Sequence, residues 1–287
     1  MKYAYYPGCS LHSTAKEYDM STKKVAKALN IELVEIPDWN CCGATAGHST
    51  SHLLAVALGA RNLAQAESLG LDVAAPCAAC YQRLVVAERE MKENPEIREK
   101  INSTLEKPYE GNNHTYSLVE VVAKAKEQIE NLKVKSFEGL KVAAYYGCLL
   151  VKPPKIMQFD DPENPQILDD LVRATGAEAV DWSFKTECCG GALAVSNTGI
   201  VLKLTRDILR VARDRGADVI VTACPLCQSN LDMRQGQIKE AFGEEFNIPV
   251  LYFTELIGLA LGLKPEELGL NSHFVSTKKV LEWRDAR

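Results

Sequence analysis

LDVAAPCAAC at residues 71–80 and DVIVTACPLC at residues 218–227 follow one plan. Each is a short, mostly apolar run of the kind a buried parallel strand needs, and each leads straight into a CxxC pair. The two CxxC pairs lie 147 residues apart, and the same offset relates Cys41-Cys-Gly43 to Cys188-Cys-Gly190. In both copies 34 residues separate the paired cysteines from the CxxC. A fifth cysteine opens each set, Cys9 and Cys148, at an offset of 139, so the second copy carries eight additional residues. All ten cysteines are thereby used, five per copy. Repetition of this kind specifies two copies of one ligand-holding module.

The flanks repeat as well. Tyr3–Cys9 (YAYYPGC) and Ala144–Cys148 (AYYGC) each read as a strand running into glycine and cysteine. Ile31–Ile36 reads as a further strand, and His114–Glu120 echoes Val250–Leu256 as a last strand entering a closing helix. Helical periodicity covers 14–29, with Asn30 as its stop, and also 51–68, 197–215 and 254–262. Strands alternating with helices predict an α/β fold of two pseudo-repeated domains, each a small, mostly parallel sheet flanked by helices. The polar stretch 127–138 sets the expected domains at 1–136 and 137–287. Ligands of such sheets gather outside the carboxyl ends of the strands. Cys9, Cys77, Cys148 and Cys224 stand at such ends, and Cys41-Cys42 follow a strand after the turn 37–40. Residues 92–113 and 152–166 read as charged or proline-rich loops, and the tail beyond Gly269 as a polar segment that packs on the surface or on a partner.

Composition excludes several function classes. Among 287 residues, 38 acidic against 33 basic side chains leave a net charge of −5, which argues against a nucleic-acid binder. The longest apolar stretch, Val142–Val151, falls short of the roughly 17–25 residues that span a membrane. The N-terminal residues lack the apolar core and cleavage site of a secretory signal, so the expected location is the cytoplasm. There, cysteines stay reduced unless they bind metal or do redox chemistry.

Soft thiolates suit zinc, copper(I) and iron–sulfur clusters. Structural zinc closes with four ligands, and a cubane [4Fe–4S] cluster also takes four thiolates. Five cysteines per copy, two of them adjacent, fit neither well and favour a larger or irregular iron–sulfur assembly. A zinc-stabilised scaffold without redox function is the competing reading. Adjacent cysteines and a reducing compartment disfavour disulfides.

The succession of one cysteine, then CCG, then CxxC, found twice, resembles the cysteine-rich CCG domain family. A chain built from two such domains is similar to the B-type subunits of heterodisulfide reductases from methanogens. The resemblance spans nearly the whole chain and includes all ten family cysteines. It implies one noncubane [4Fe–4S] cluster per domain, the first on Cys9, Cys41, Cys42, Cys77 and Cys80. The second would rest on Cys148, Cys188, Cys189, Cys224 and Cys227. The implied activity is reduction of the coenzyme M–coenzyme B heterodisulfide to two thiols, each cluster giving one electron. No protein cysteine then attacks the substrate, and both CxxC pairs act as ligands rather than thioredoxin-type redox motifs. Related CCG domains serve as electron-transfer subunits of glycolate, lactate and succinate oxidoreductases, which is the alternative function together with reduction of a different disulfide. The chain has no ferredoxin cysteine segment and no GxGxxG fingerprint. The resemblance therefore implies a small ferredoxin-like iron–sulfur subunit and a flavin-containing subunit as partners.

The remaining candidates each carry two readings. Gly43, Gly190 and Gly191 suit a positive-φ turn or close approach to a ligand, and the turn suffices. His48, five residues past Gly43, is a candidate proton donor or a surface histidine; His12 and His52 have weaker claims. An anionic disulfide needs cations, and Lys16, Arg83, Lys152, Lys155 and Arg234 lie near the cysteine loops, though charges on helices are ordinarily solvated.

Overall fold

The computed structural model of the chain describes residues 1–44 and 47–285. Its first sheet comprises β1 (Lys2–Tyr5), β2 (Glu32–Glu35), β3 (Val73–Ala75) and β4 (Thr115–Ser117) in the order β2-β1-β3-β4. The second comprises β5 (Lys141–Tyr145), β6 (Glu178–Ala179), β7 (Val219–Thr222) and β8 (Val250–Tyr252) in the order β6-β5-β7-β8. Every pairing is parallel, as the apolar runs before the cysteines predict. Residues of β3 and β7 are buried throughout because helices cover both faces.

This strand order places the cysteines. In a doubly wound sheet the crevice opens where the strand order reverses, which here is between β1 and β3 and between β5 and β7. Cys9 and Cys77 follow the first pair of strands, and Cys148 and Cys224 follow the second. The expected fold class is observed.

Helix Lys16–Ala28 buries Tyr18, Ser21, Thr22, Val25 and Ala26, one continuous stripe at helical spacing. It stops at Asn30, whose φ of 54° is left-handed, in agreement with the sequence reading. Helices His52–Glu67, Thr198–Asp214 and Phe253–Ala260 stand where periodicity predicts them. Residues 92–113 differ from the expected loop. Helix Ala78–Glu93 runs into them, and Asn94 then caps a further helix, Pro95–Asn102, accepting the Ile97 N–H at 3.2 Å. Asn at the cap and Pro at the first helical position form a start that the high local charge obscures.

The two halves interlock reciprocally. Helix Lys16–Ala28 packs on Phe253–Ala260, and helix Leu118–Ala123 packs on Ile167–Ala174. At the first contact Tyr18 stacks on Tyr252 with centroids 4.1 Å apart, and the Ser21 and Thr254 hydroxyls meet at 2.7 Å. The tail reinforces the contact: a β-carbon at Gly269 would stand 2.5 Å from that of Glu17.

Candidate metal centres

All ten cysteines are free. Cys42, Cys77 and Cys80 are buried, as are Cys189, Cys224 and Cys227, whereas Cys9, Cys41 and Cys188 are exposed and Cys148 lies between. The Cys42 and Cys80 sulfurs are 3.4 Å apart and those of Cys189 and Cys227 3.6 Å, contacts well beyond the ~2.05 Å of a disulfide. Electrostatic coupling extends these pairs. Cys41 and Cys42, Cys77 and Cys80, and Cys224 and Cys227 shift one another's ionisation. Cys77 and Cys224 do the same across the interface between the halves. One line of sulfurs thus runs from Cys41 through Cys42, Cys80, Cys77, Cys224 and Cys227 to Cys189. Cys148 pairs with Cys188 beside it.

Along this line neighbouring thiols share protons. Donation from Cys41, and then from Cys80, pulls Cys42 down to about 3. Donation from Cys148 pulls Cys188 down to about 6, and donation from Cys227 and Cys77 holds Cys224 well below the thiol range. The donors Cys41 and Cys148 are pushed up in turn. Each further thiolate adds repulsion of about 4 kcal/mol per pair at ~4 Å in a medium of dielectric ~20. Full deprotonation therefore requires multivalent cations among the sulfurs. Among the described residues no group of three or more His, Cys, Asp or Glu side chains is drawn into a closed cage. The contacts are pairwise. A set made of thiols alone is one that soft metals and iron–sulfur clusters favour, and the cysteines of each half could supply it.

The scaffolding behind the sulfurs is duplicated too. Tyr6 donates to the Asn40 carbonyl at 2.8 Å, and Tyr145 donates to that of Glu187 at 2.7 Å, in each case the residue before the cysteine pair. Burial, and then four cysteines of its own set, keep each phenol protonated. Gly8 (φ 67°) and Gly147 (φ 66°) press on the last cysteine of each CxxC: a β-carbon would stand 3.1 Å from Cys80 Sγ and 3.0 Å from Cys227 Sγ. The Gly43 and Gly190 N–H groups donate to the Cys41 and Cys188 sulfurs at 3.4 and 3.3 Å, and both residues have φ 77°, the turn expected of them.

One residue serves both sites. The buried Tyr18 hydroxyl lies 3.1 Å from the Pro76 carbonyl and 3.3 Å from that of Ala223, the residues just before the two CxxC pairs. Sequence reading took these tyrosines only as strand or helix residues, since their partners are 34 to 205 positions away.

The histidine and cation candidates divide. His12 pairs with Glu35 at 3.1 Å and sits edge-on to Trp39, and His52 faces Glu90 at 3.4 Å, both surface arrangements. His48 is exposed in the short helix Gly47–Thr50 beyond the Cys41-Cys42 turn. Lys16 and Lys155 are exposed. Arg83 stands one turn past Cys80 and helps hold Cys42 ionised, after the two sulfur donors. Lys152 acts likewise on Cys188, more weakly than Cys148.

A model of the cysteine-rich domain family matches residues 3–84 and again 142–232. The chain belongs to the cysteine-rich CCG domain family. It is 34% identical over 282 residues to the 8-methylmenaquinol:fumarate reductase membrane anchor subunit of Wolinella succinogenes, covering 97% of this chain and 99% of that one. It is 33% identical over 290 residues to the B-type subunit of the ferredoxin/F420H2-dependent CoB-CoM heterodisulfide reductase of Methanosarcina acetivorans, covering 98% and 96%. A crystal structure of a hypothetical protein from Helicobacter pylori shares the fold at a TM-score of 0.76 and 17% identity, over 96% of this chain and 52% of that one. Both named relatives are subunits of oxidoreductase complexes, and this chain is an oxidoreductase subunit of that family. Among the described residues no helix is long and apolar enough to cross a membrane, although one of these relatives is named for an anchor.

Proposed function

We propose that this chain is the catalytic subunit of a cytoplasmic disulfide reductase complex, and that its substrate is the coenzyme M–coenzyme B heterodisulfide. The reaction takes RS–SR′, two electrons and two protons to RSH and R′SH. The observation that carries this reading is the duplicated sulfur contact, Cys42 with Cys80 and Cys189 with Cys227, in two halves whose helices interlock and whose CxxC loops share the Tyr18 hydroxyl. A two-electron bond cleavage served by one-electron donors needs two such sites side by side, and two equivalent sets supply them. Cys9, Cys41, Cys42, Cys77 and Cys80 hold one noncubane [4Fe–4S] cluster, and Cys148, Cys188, Cys189, Cys224 and Cys227 hold the other. When bound, the pair supplies one electron from each cluster. The protein orients the ligands through Tyr6, Tyr145, Gly8 and Gly147 and registers the two sites through Tyr18. Electrons arrive from a small ferredoxin-like iron–sulfur subunit, itself served by a flavin-containing subunit.

The 34% identity to a fumarate reductase subunit favours a second reading, an electron wire without substrate of its own. Anaerobically reconstituted protein separates the two. With a reduced one-electron dye and the heterodisulfide, the reductase forms two thiols per two electrons. Cluster-loaded protein that oxidises the dye only when a quinone is added supports the wire. Zinc without acid-labile sulfide would exclude both.

A further inference from the structure

The two cysteine sets share one sulfur contact, Cys42 with Cys80 and Cys189 with Cys227, and differ in charge. The 147-residue offset that carries Cys42 to Cys189 and Cys80 to Cys227 carries Arg83 to Asn230. Both residues lie one helical turn past the last cysteine of their CxxC, on its face of the helix. In the second site the buried Asn230 amide donates to the Cys189 carbonyl at 3.1 Å and to its sulfur at 3.6 Å. Its own oxygen accepts from Arg234 Nε at 3.0 Å, which fixes the orientation of the amide. Arg234 spends the rest of its guanidinium on the Ala194 carbonyl at 2.7 Å and on Gln237 at 3.1 Å. The second site therefore receives a neutral dipole, with the cation held behind it.

In the first site an arginine occupies the same place on the helix, three residues past Cys80. Arg83 is half-buried and bonds to the neutral Gln82 Oε1 at 2.6 Å, and no carboxylate pairs with it among the described residues. The other charges nearby do not restore equality. Cys188 has Glu187 before it and Lys152 near it, of opposite sign, whereas the equivalent positions in the first set hold the neutral Asn40 and Ser13. Net charge and donors to the sulfurs tune iron–sulfur potentials, and a full charge in a partly buried site outweighs an amide dipole.

We propose that the two centres are inequivalent, with Arg83 giving the Cys9–Cys80 site the higher reduction potential, so that the first of the two electrons rests there. The inference builds on the two-cluster reading above. Its test is a redox titration of the anaerobically loaded full chain, followed by electron paramagnetic resonance. Two separate midpoints are expected in the wild type. Arg83→Gln should lower the higher midpoint and leave the lower one in place, and Arg83→Lys, which keeps the charge, should restore it. Asn230→Leu, which removes the donor to Cys189, should lower only the other midpoint. A single shared midpoint would overturn the inference while leaving the two-cluster reading intact, as would Arg83→Gln moving both signals or neither. Absence of iron–sulfur signals from the wild type would overturn both.

Discussion

Replacing Gly147 by alanine tests whether the backbone before Cys148 is shaped to leave room for the Cys227 sulfur. Two costs add at this position. Gly147 has φ 66°, and placing a β-carbon on a left-handed residue costs about 1–2 kcal/mol, offset by about 0.4–1 kcal/mol from the stiffer unfolded chain. The new carbon would also stand 3.0 Å from Cys227 Sγ, several tenths of an ångström inside contact distance, and overpacking of this kind costs about 1–3 kcal/mol. Gly70 supplies the matched control. Its φ is 68°, but nothing lies within 4 Å of the position a β-carbon would take, so Gly70→Ala carries the backbone cost alone. The expected totals are about 2–4 kcal/mol for Gly147→Ala, from both terms, and about 1 kcal/mol for Gly70→Ala, from the backbone term alone.

At roughly 2–4 °C per kcal/mol for a chain near this size, thermal melts should separate the two variants by several degrees. Iron and acid-labile sulfide per chain provide a second readout. Displacement of Cys227 should remove about half of the wild-type content, because one of two equivalent sets is damaged. Gly8→Ala, at 3.1 Å from Cys80 Sγ, should remove the other half. If Gly147→Ala and Gly70→Ala melted together and retained equal iron, the sulfur would not be what the glycine accommodates.

Tyr18→Phe keeps the stack on Tyr252 but leaves the Pro76 and Ala223 carbonyls without their shared donor, so a loss of about 1–3 kcal/mol is expected in denaturant titrations. Lys185 and Asp169 form an ion pair at 3.0 Å with both side chains about 2% exposed. Lys185→Ala should therefore cost about 3–5 kcal/mol, far more than removal of a surface partner such as Lys2. Buried His273 bonds to Glu255 at 3.0 Å and to Gln228 at 3.1 Å. Burial alone would lower its pKa, but Glu255, Asp232 and Glu17 outweigh that and raise it above the usual ~6.5. A raised histidine stabilises fully below the unfolded value and loses that contribution as pH rises through the folded one. The melting advantage of wild type over His273→Gln should accordingly be largest near pH 6 and shrink above neutrality; an advantage that grows with pH would refute this assignment.

The extent to which the sequence discloses this molecule follows from which contacts are local. Spacing along one strand or helix is covalent information. The junctions of β3 with Cys77 and of β7 with Cys224 are therefore legible, as is the buried stripe of helix Lys16–Ala28. The cysteine sets are legible because the chain states them twice. The meeting of Cys77 with Cys224 is not, since it depends on packing between Lys16–Ala28 and Phe253–Ala260, elements more than 200 residues apart. Tyr6 and Tyr145 read as strand residues because a hydroxyl that reaches a carbonyl 34 or 42 positions away leaves no periodic trace. Only the duplication could have exposed them, since both stand at the same place in each copy.

Departures from the duplication mark the residues that a pair of sites needs and a single site does not. Tyr18 has no tyrosine counterpart on Ile167–Ala174, the helix equivalent to Lys16–Ala28, and one hydroxyl near the interface suffices to tie both CxxC loops. Arg83 has Asn230, and two centres that must pass electrons in order gain from unequal potentials. His273 belongs to a tail that only the second copy carries; it reaches back to Glu255 and Asp232 of the second copy, and the same tail sets Gly269 against Glu17 of the first. Two independent modules would need none of these. Tyr18 ties the two CxxC loops and the tail ties the second half to the first, so the pair, rather than either half, is the functional unit, and a single half expressed alone should fail to hold its iron.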